Sequence, residues 1–413
     1  MKCRHCHAEL NLTLIDLGSA PPSNAYLAEQ ALHAPEKWFP LRVLVCQDCW
    51  LVQTEDFAEA GELFDADYAY FSSYSTSWLA HAERYVADMA RRFELDEQSH
   101  VVEIAANDGY LLQYVNARGI PCTGIEPTAS TAAAARAKGV RIIEDFFGVR
   151  LAKTLLAQGK QADLATANNV LAHVPDINDF VAGISILIKP QGVATFEFPY
   201  LPELVDGCQF DTIYHEHFSY LSLTAVQRIF AANGLSVFDV EALPTHGGSI
   251  RVFAQRSDTG HFQRMASVDE LLGREVAAGV GTAGYYAGFQ ARANKIKDDF
   301  LTFLIEAKRQ GKSVAAYGAA AKGNTLINYA GIRPDLISFV ADRNPAKQDK
   351  YSPGSRIPIL DEAYLRTSKP DFVVILPWNL RAEVTAQLAY LREWGGRFVT
   401  AVPGIAVSAG LSA

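Results

Sequence analysis

The stretch Val101-Val-Glu-Ile-Ala-Ala-Asn-Asp-Gly-Tyr110 decides the fold. A short apolar run broken by one glutamate reads as a buried strand, Val101 to Ala105, and Ala106-Asn-Asp-Gly109 reads as the turn that ends it. A helical pattern follows from Tyr110 to Ala117, and the alternation then repeats. Strands fall at Cys122 to Glu126, Val140 to Ile143, Ala162 to Ala167 and Gly192 to Phe198, with helical spans between them. Spacing of this kind predicts a doubly wound parallel α/β sheet. A helix near Thr224 to Asn233 and two closely spaced strands, Ser236 to Val240 and Ser249 to Gln255, add an antiparallel pair at the sheet edge. Beyond a helical stretch from Val268 to Gln310, strands at Ser313 to Tyr317, Ile337 to Ala341, Phe372 to Leu376 and Arg397 to Ala401 predict a second, smaller α/β domain.

In open α/β sheets, ligands sit beyond the carboxyl ends of the strands. Glu103 near the end of the first strand, a small-residue turn, and Glu126 at the end of the second form the layout of a nucleoside site. Glu126 is placed to accept both hydroxyls of a ribose, with Pro127 beside it. Asp145 is placed to meet the amine of an adenine, and Phe146 to cover its face. Ala105 and Asn107 stand where a pyrophosphate-binding loop would carry glycine, which tilts the expectation from a dinucleotide to S-adenosylmethionine. Ordinary solvated strand ends are the alternative reading of these carboxylates.

Ahead of the sheet, Cys3 and Cys6 form one C-x-x-C pair and Cys46 and Cys49 a second. Two such pairs supply four thiolates to a tetrahedral Zn(II), with no position left for a reacting water, so the expected ion is structural. His5 and His7 flank the first pair and are expected to face solvent; Cys122 and Cys208 are expected to be core residues. The whole chain of 413 residues accommodates two or three domains at ~100–200 residues each. Its 37 basic against 46 acidic residues, a net charge of −9, oppose broad nucleic-acid binding. No apolar run reaches the ~20 residues of a membrane span, and Met1 to Leu10 has no signal-peptide core, so the expectation is a cytoplasmic chain without a membrane partner.

Polar clusters follow the strands at one edge. They are Asn168-Asn-Val-Leu-Ala-His173, Tyr214-His-Glu-His217 and Thr245-His-Gly-Gly-Ser249, with Tyr68-Ala-Tyr-Phe-Ser-Ser73 upstream. The topology directs His173, His217, His246, Tyr214 and Glu216 towards one pocket. Imidazole serves as a base at neutral pH, and hydroxyl or imidazole donors stabilise an enolate oxygen as its charge develops. Glu216 is expected to orient a neighbouring imidazole. The set suits proton abstraction beside a carbonyl; a metal site of His173, His217 and Glu216 is the rival reading.

Together with the cysteine pairs, Glu103 to Leu112, Gly124-Ile-Glu-Pro127 and Tyr317-Gly-Ala-Ala-Ala-Lys-Gly-Asn324, these motifs resemble the three-domain nucleotide-sugar C-methyltransferases over nearly the whole chain. That family places a branching methyl on carbon 3 of a 4-keto-6-deoxysugar, most often linked to dTDP, in deoxysugar biosynthesis. The resemblance implies a zinc-binding domain at 1–67, a Rossmann-like S-adenosylmethionine domain at 68–260, and a helical connector with a nucleotide-sugar-binding domain at 261–413. It also implies His217 as the base, with Tyr214 and Glu216 beside it. His173 and one of Tyr68 and Tyr70 are implied as substrate partners; Tyr70 is placed with the catalytic set, and Tyr68 and Asn168 with the cofactor. Lys322 at a helix N-terminus is a seat for the sugar's diphosphate, with Asn324 and His246 as further substrate contacts. A monomer or weak homo-oligomer is expected. The alternatives are an NAD-dependent oxidoreductase, using Gly318 to Gly323 and Asp342, and a non-enzymatic zinc-ribbon binding module.

Overall fold

A computed structural model describes residues 1–57 and 71–408. Strands β1 (Leu12–Ala20), β2 (Phe39–Val45) and β3 (Val52–Thr54) come first. The middle of the chain lays down β4 (Val101–Ile104), β5 (Cys122–Ile125), β6 (Ile142–Ile143), β7 (Ala162–Asn168), β8 (Ile188–Pro199), β9 (Ser219–Tyr220), β10 (Leu235–Leu243) and β11 (Ser249–Arg256). The last part supplies β12 (Val314–Tyr317), β13 (Val340–Asp342), β14 (Lys350–Tyr351), β15 (Pro358–Asp361), β16 (Phe372–Ile375), β17 (Arg397–Thr400) and β18 (Ala406–Val407).

They form three sheets. The central seven-stranded sheet has the order β10-β11-β8-β7-β4-β5-β6, and β11 runs antiparallel to both of its neighbours. The expected parallel sheet and its antiparallel edge are both present. β4 and β7 are parallel, and the order in which successive strands are added reverses between them, so their carboxyl ends open the crevice in which such sheets hold ligands. Apolar strands covered on both faces explain why Val102, Ile104, Ala165 and Phe196 are sealed from solvent. The third sheet, β14-β15-β13-β12-β16-β17-β18, is parallel through its five middle strands, and its crevice lies between β12 and β16.

The antiparallel sheet β1-β2-β3-β9 is the part the sequence pattern left undrawn. It is built mainly at the N-terminal end, yet β9 is contributed by the chain just beyond Tyr214-His-Glu-His217. Its apolar face, with Leu14, Val43 and Val45, shares one core with Phe289, Phe300 and Leu304 of helix Phe289–Arg309 and with Ile327 of the third domain. The stretch expected as a plain connector is thus a wall of that core. Among the described residues, no helix is long and apolar enough to cross a membrane.

Candidate active site

The cysteine pairs are brought together by two tight turns. His7 N donates to Cys3 O at 3.0 Å and Trp50 N donates to Cys46 O at 2.9 Å, with His7 and Trp50 both at positive φ. The four sulfurs lie within 4.8 Å of one another; Cys3–Cys49 and Cys6–Cys46 are 3.5 and 3.4 Å apart. Tetrahedral Zn–S bonds of ~2.3 Å put sulfurs ~3.8 Å apart, close to these spacings, so the cluster fits the ion. The zinc is structural: four thiolates close its shell. His5 departs from expectation, since its ring meets Asn178 Oδ1 at 2.8 Å and ties the zinc turn to the central domain.

At the crevice of the central sheet, Glu126 is buried and organises the turn after β4. Its carboxylate accepts from Asn107 N at 2.9 Å and from Thr128 N at 3.0 Å. Ala105 and Asn107 both take left-handed backbone conformations, at φ +57° and +49°. The turn thus keeps the shape that glycine usually supplies, while the two side chains add bulk against a pyrophosphate. Glu103 is buried, and burial raises its carboxyl well above the ordinary range. Glu103 Oε2 and Asn168 Oδ1, at the ends of β4 and β7, are buried with no hydrogen-bond partner among the described residues. Two open acceptors at the reversal point fit the ammonium end of an amino-acid-bearing nucleoside. Asp145 lies at the rim, paired with Arg150 at 2.6 Å, and Phe146 is exposed; Pro127 is half-buried. Tyr68 and Tyr70 lie outside the described residues. Glu126→Gln is expected to weaken S-adenosylmethionine binding roughly 10- to 100-fold, measured by calorimetry, because two charge-assisted bonds lose strength.

His217 stands beside this crevice. Its Nδ1–H donates to Thr212 O at 3.0 Å, which leaves Nε2 as the acceptor nitrogen. The ring lies 4.0 Å from the Tyr214 ring and 4.6 Å from that of His173, centre to centre. Burial, then the neighbouring His173, hold its pKa well below the usual histidine value. Burial also pushes His173 and His246 down to about 4. His173 is further engaged by the Glu216 backbone. The Glu216 carboxylate accepts from Asn24 Nδ2 at 2.8 and 2.9 Å, so the group that orients the His217 ring is the Thr212 carbonyl.

His246 sits at φ +54°, within 3.4 Å of the Asn169 amide and 5.1 Å from the Trp78 ring. Near it is a network absent from the sequence reading. Glu197 is fully buried and binds His81 Nε2 at 2.9 Å, Arg251 Nη2 at 2.7 Å and Thr245 Oγ1 at 3.1 Å. Burial pushes its carboxyl up, but the contacts with His81 and Arg251 outweigh this and leave it below its ordinary value. Nothing in the apolar run Ala194-Thr-Phe-Glu-Phe198 marks Glu197 as more than a strand residue.

The third domain reaches the same place. Lys322 Nζ donates to Asn379 Oδ1 at 2.7 Å, lies 4.8 Å above the Trp378 ring, and contributes charge to His217 and His246. Asn324 is buried and its amide donates to Ser23 O at 2.7 Å, an attachment to the N-terminal domain. Asp342 is also engaged, accepting from Ala319 N at 2.7 Å and Asn344 N at 2.8 Å.

Known proteins account for all three parts. A zinc-binding-domain family model matches residues 3–64, a methyltransferase-domain model residues 78–240, and a model of the C-methyltransferase C-terminal domain residues 244–403. Magnesium protoporphyrin IX methyltransferase from Synechocystis PCC 6803, solved with bound S-adenosylmethionine, is 16% identical and covers 43% of this chain and 79% of its own, with a TM-score of 0.34. The PH0226 protein from Pyrococcus horikoshii OT3 is 15% identical, covers 49% of this chain and 100% of its own, and has a TM-score of 0.38. C-methyltransferase NovU from Streptomyces niveus is 34% identical over 402 residues, 97% of this chain and 95% of its own length. With that relative aligned along almost its entire length, the chain belongs to the C-methyltransferase family, as an enzyme with S-adenosylmethionine as methyl donor and a zinc-binding N-terminal domain.

Proposed function

We propose that this C-methyltransferase acts on carbon 3 of a nucleotide-linked 4-keto-6-deoxysugar, with dTDP as the nucleotide, in deoxysugar biosynthesis. The observation that carries the reading is the state of His217: buried, neutral, with Nδ1–H fixed on Thr212 O and Nε2 left as the acceptor. A ketone acidifies the adjoining C–H bond. His217 Nε2 takes that proton, and the electron pair passes through carbon 3 to the ketone oxygen as an enolate. Tyr214, packed against His217, is the donor proposed for that oxygen, and His173, whose ring is held on the Glu216 backbone, is proposed as a further substrate partner. S-adenosylmethionine supplies the electrophilic methyl group that carbon 3 acquires. Glu126 is proposed to hold its ribose, Glu103 and Asn168 its ammonium, and Asp145 and Phe146 its adenine.

On this reading Lys322 serves the sugar-nucleotide end, and His246 lies on the wall between the two ligands. The proposed division of labour is zinc binding at 1–67, methyl-donor binding at 68–260 and nucleotide-sugar binding at 261–413. The test is solvent-deuterium exchange at carbon 3 of a panel of nucleotide-linked 4-keto sugars. Enzyme-dependent deuterium uptake by a member of the panel supports the reading, and its absence from every member contradicts it.

The pH dependence has a definite sign. A histidine whose pKa is depressed in the folded enzyme stays unprotonated as pH falls through ~6.5, the value of free imidazole. The acid limb of kcat/KM attributable to His217 is therefore expected below 6.5, consistent with its burial. A limb at or above that value contradicts the assignment of a buried, neutral base.

A further inference from the structure

The chain from Asp211 to His217 belongs to the central domain, but three of the side chains that hold it come from the other two. Asn24 grips the Glu216 carboxylate, and Thr325 Oγ1 donates to Ile213 O at 2.8 Å. At the start of the segment, Asp211 is fully buried and its Oδ2 accepts from Trp378 Nε1 at 2.7 Å. Asp211 adjoins Thr212, whose carbonyl sets the His217 ring. Trp378 opens a short turn just beyond β16, at the crevice between β12 and β16.

The same indole meets two other parts of the site. Lys322 Nζ lies over its face at 4.8 Å. Its Cη2 edge covers the turn that carries His246 so closely that a methyl group at Gly247 would lie 2.5 Å away. Gly247, at φ +90°, is thus required by the close approach of Trp378 as well as by its backbone. One side chain from the third domain touches the His217 loop, the His246 turn and Lys322.

We infer that Trp378 is a positioning residue: through its bond to Asp211 it sets the loop that aims His217, and it does so from the nucleotide-sugar domain. This rests on the reading of His217 as the base. Burial pushes the Asp211 carboxyl up to about 6, against the opposing influence of Lys322 and Trp378. The indole N–H is its hydrogen-bond donor from the third domain, and Asp211 Oδ1 is buried with no partner among the described residues. Loss of the indole donor leaves a buried carboxylate less satisfied and frees the loop, which admits water to His217.

The variants are Trp378→Phe, which keeps a ring and removes the N–H, and Asp211→Leu, with Asp211→Asn retaining an acceptor oxygen. The first readout needs no substrate: the titration midpoint of His217, followed by NMR with labelled histidine. The groups facing His217 are His173, Tyr214, Tyr220, His246 and Lys322, and none of them is substituted in these variants. The midpoint is expected to rise towards ~6.5 in Trp378→Phe and in Asp211→Leu, no further in the double variant, and to stay near wild type in Asp211→Asn. With a 4-keto sugar, carbon-3 exchange is expected to fall about tenfold in Trp378→Phe, with KM and S-adenosylmethionine affinity within about twofold of wild type. An unmoved His217 midpoint in Trp378→Phe overturns the inference. So does a melting temperature that falls in step with activity, because that marks a merely structural role. If the wild-type enzyme exchanges no carbon-3 proton, the base reading fails separately, and the midpoint shift still decides the role of Trp378.

Discussion

His217→Asn is expected to abolish carbon-3 exchange while leaving the methyl-donor site intact. General-base catalysis by a positioned side chain contributes roughly 10²–10⁴-fold, and methyl transfer should fall by a similar factor. Asparagine matches imidazole in placing a donor towards Thr212 O, so the loop keeps its anchor while the basic nitrogen is lost. S-adenosylmethionine affinity is then expected to be unchanged, since the residues proposed to hold the donor, Glu103 on β4, Asn168 on β7 and Glu126 just past β5, lie apart from the His217 loop. Exchange and transfer measured on the same samples separate two outcomes. If exchange persists unchanged, another group removes the proton. If both vanish along with methyl-donor affinity, the variant has disturbed the crevice rather than the base.

Loss of the zinc is expected to be equally damaging, although the ion does no chemistry. Structural zinc sites supply ~10–16 kcal/mol of binding free energy in small zinc-dependent folds. The route to the active site is short. Gln53 donates to Cys3 Sγ at 3.2 Å and accepts from Arg4 N at 2.9 Å, so the zinc turn sets the position of β3. Val52 and Gln53 pair with Tyr220 and Ser219 of β9, and Thr54 Oγ1 donates to His217 O at 3.1 Å. Cys46→Ser, or removal of zinc by a chelator, should lower the melting temperature by roughly 10 °C or more and abolish transfer. One zinc per chain by metal analysis, lost in the variant together with activity, is the expected result. A zinc-free enzyme that turns over normally contradicts this coupling.

Much of the fold was legible in the sequence because parallel strands buried on both faces are near-continuous apolar runs, as in Val-Val-Glu-Ile of β4 and Phe-Val-Val-Ile of β16, and because β5, β7 and β8 alternate with helical spans. Short, irregular elements were not. β9, β14 and β18 have two residues each and exist because a neighbouring strand offers hydrogen bonds, not because of any local pattern. The pairing of β3 with β9 joins positions far apart in the chain, and no periodicity encodes it.

The candidate site divides in the same way. The cysteine pairs carry their own spacing, and the His173 and His217 rings do come together. Glu197, Asp211 and Trp378 belong to no motif; their roles arise only when His81, Arg251, Lys322 and the loop before His217 are placed around them. Asn324 was marked by its neighbourhood in the sequence, but its buried amide holds Ser23 across a domain contact. A single residue's chemistry can be read from its type, whereas its partner depends on topology.

The central claim is that carbon 3 of a 4-keto sugar receives the methyl group. It is tested most directly by supplying S-adenosylmethionine with an isotopically labelled methyl and a nucleotide-linked 4-keto-6-deoxysugar, then locating the label in the product by NMR. The account predicts a labelled methyl bonded to carbon 3, with the proton at that carbon lost to solvent. A labelled methyl on oxygen or on another carbon, or an unmodified sugar from every member of the panel, would contradict it.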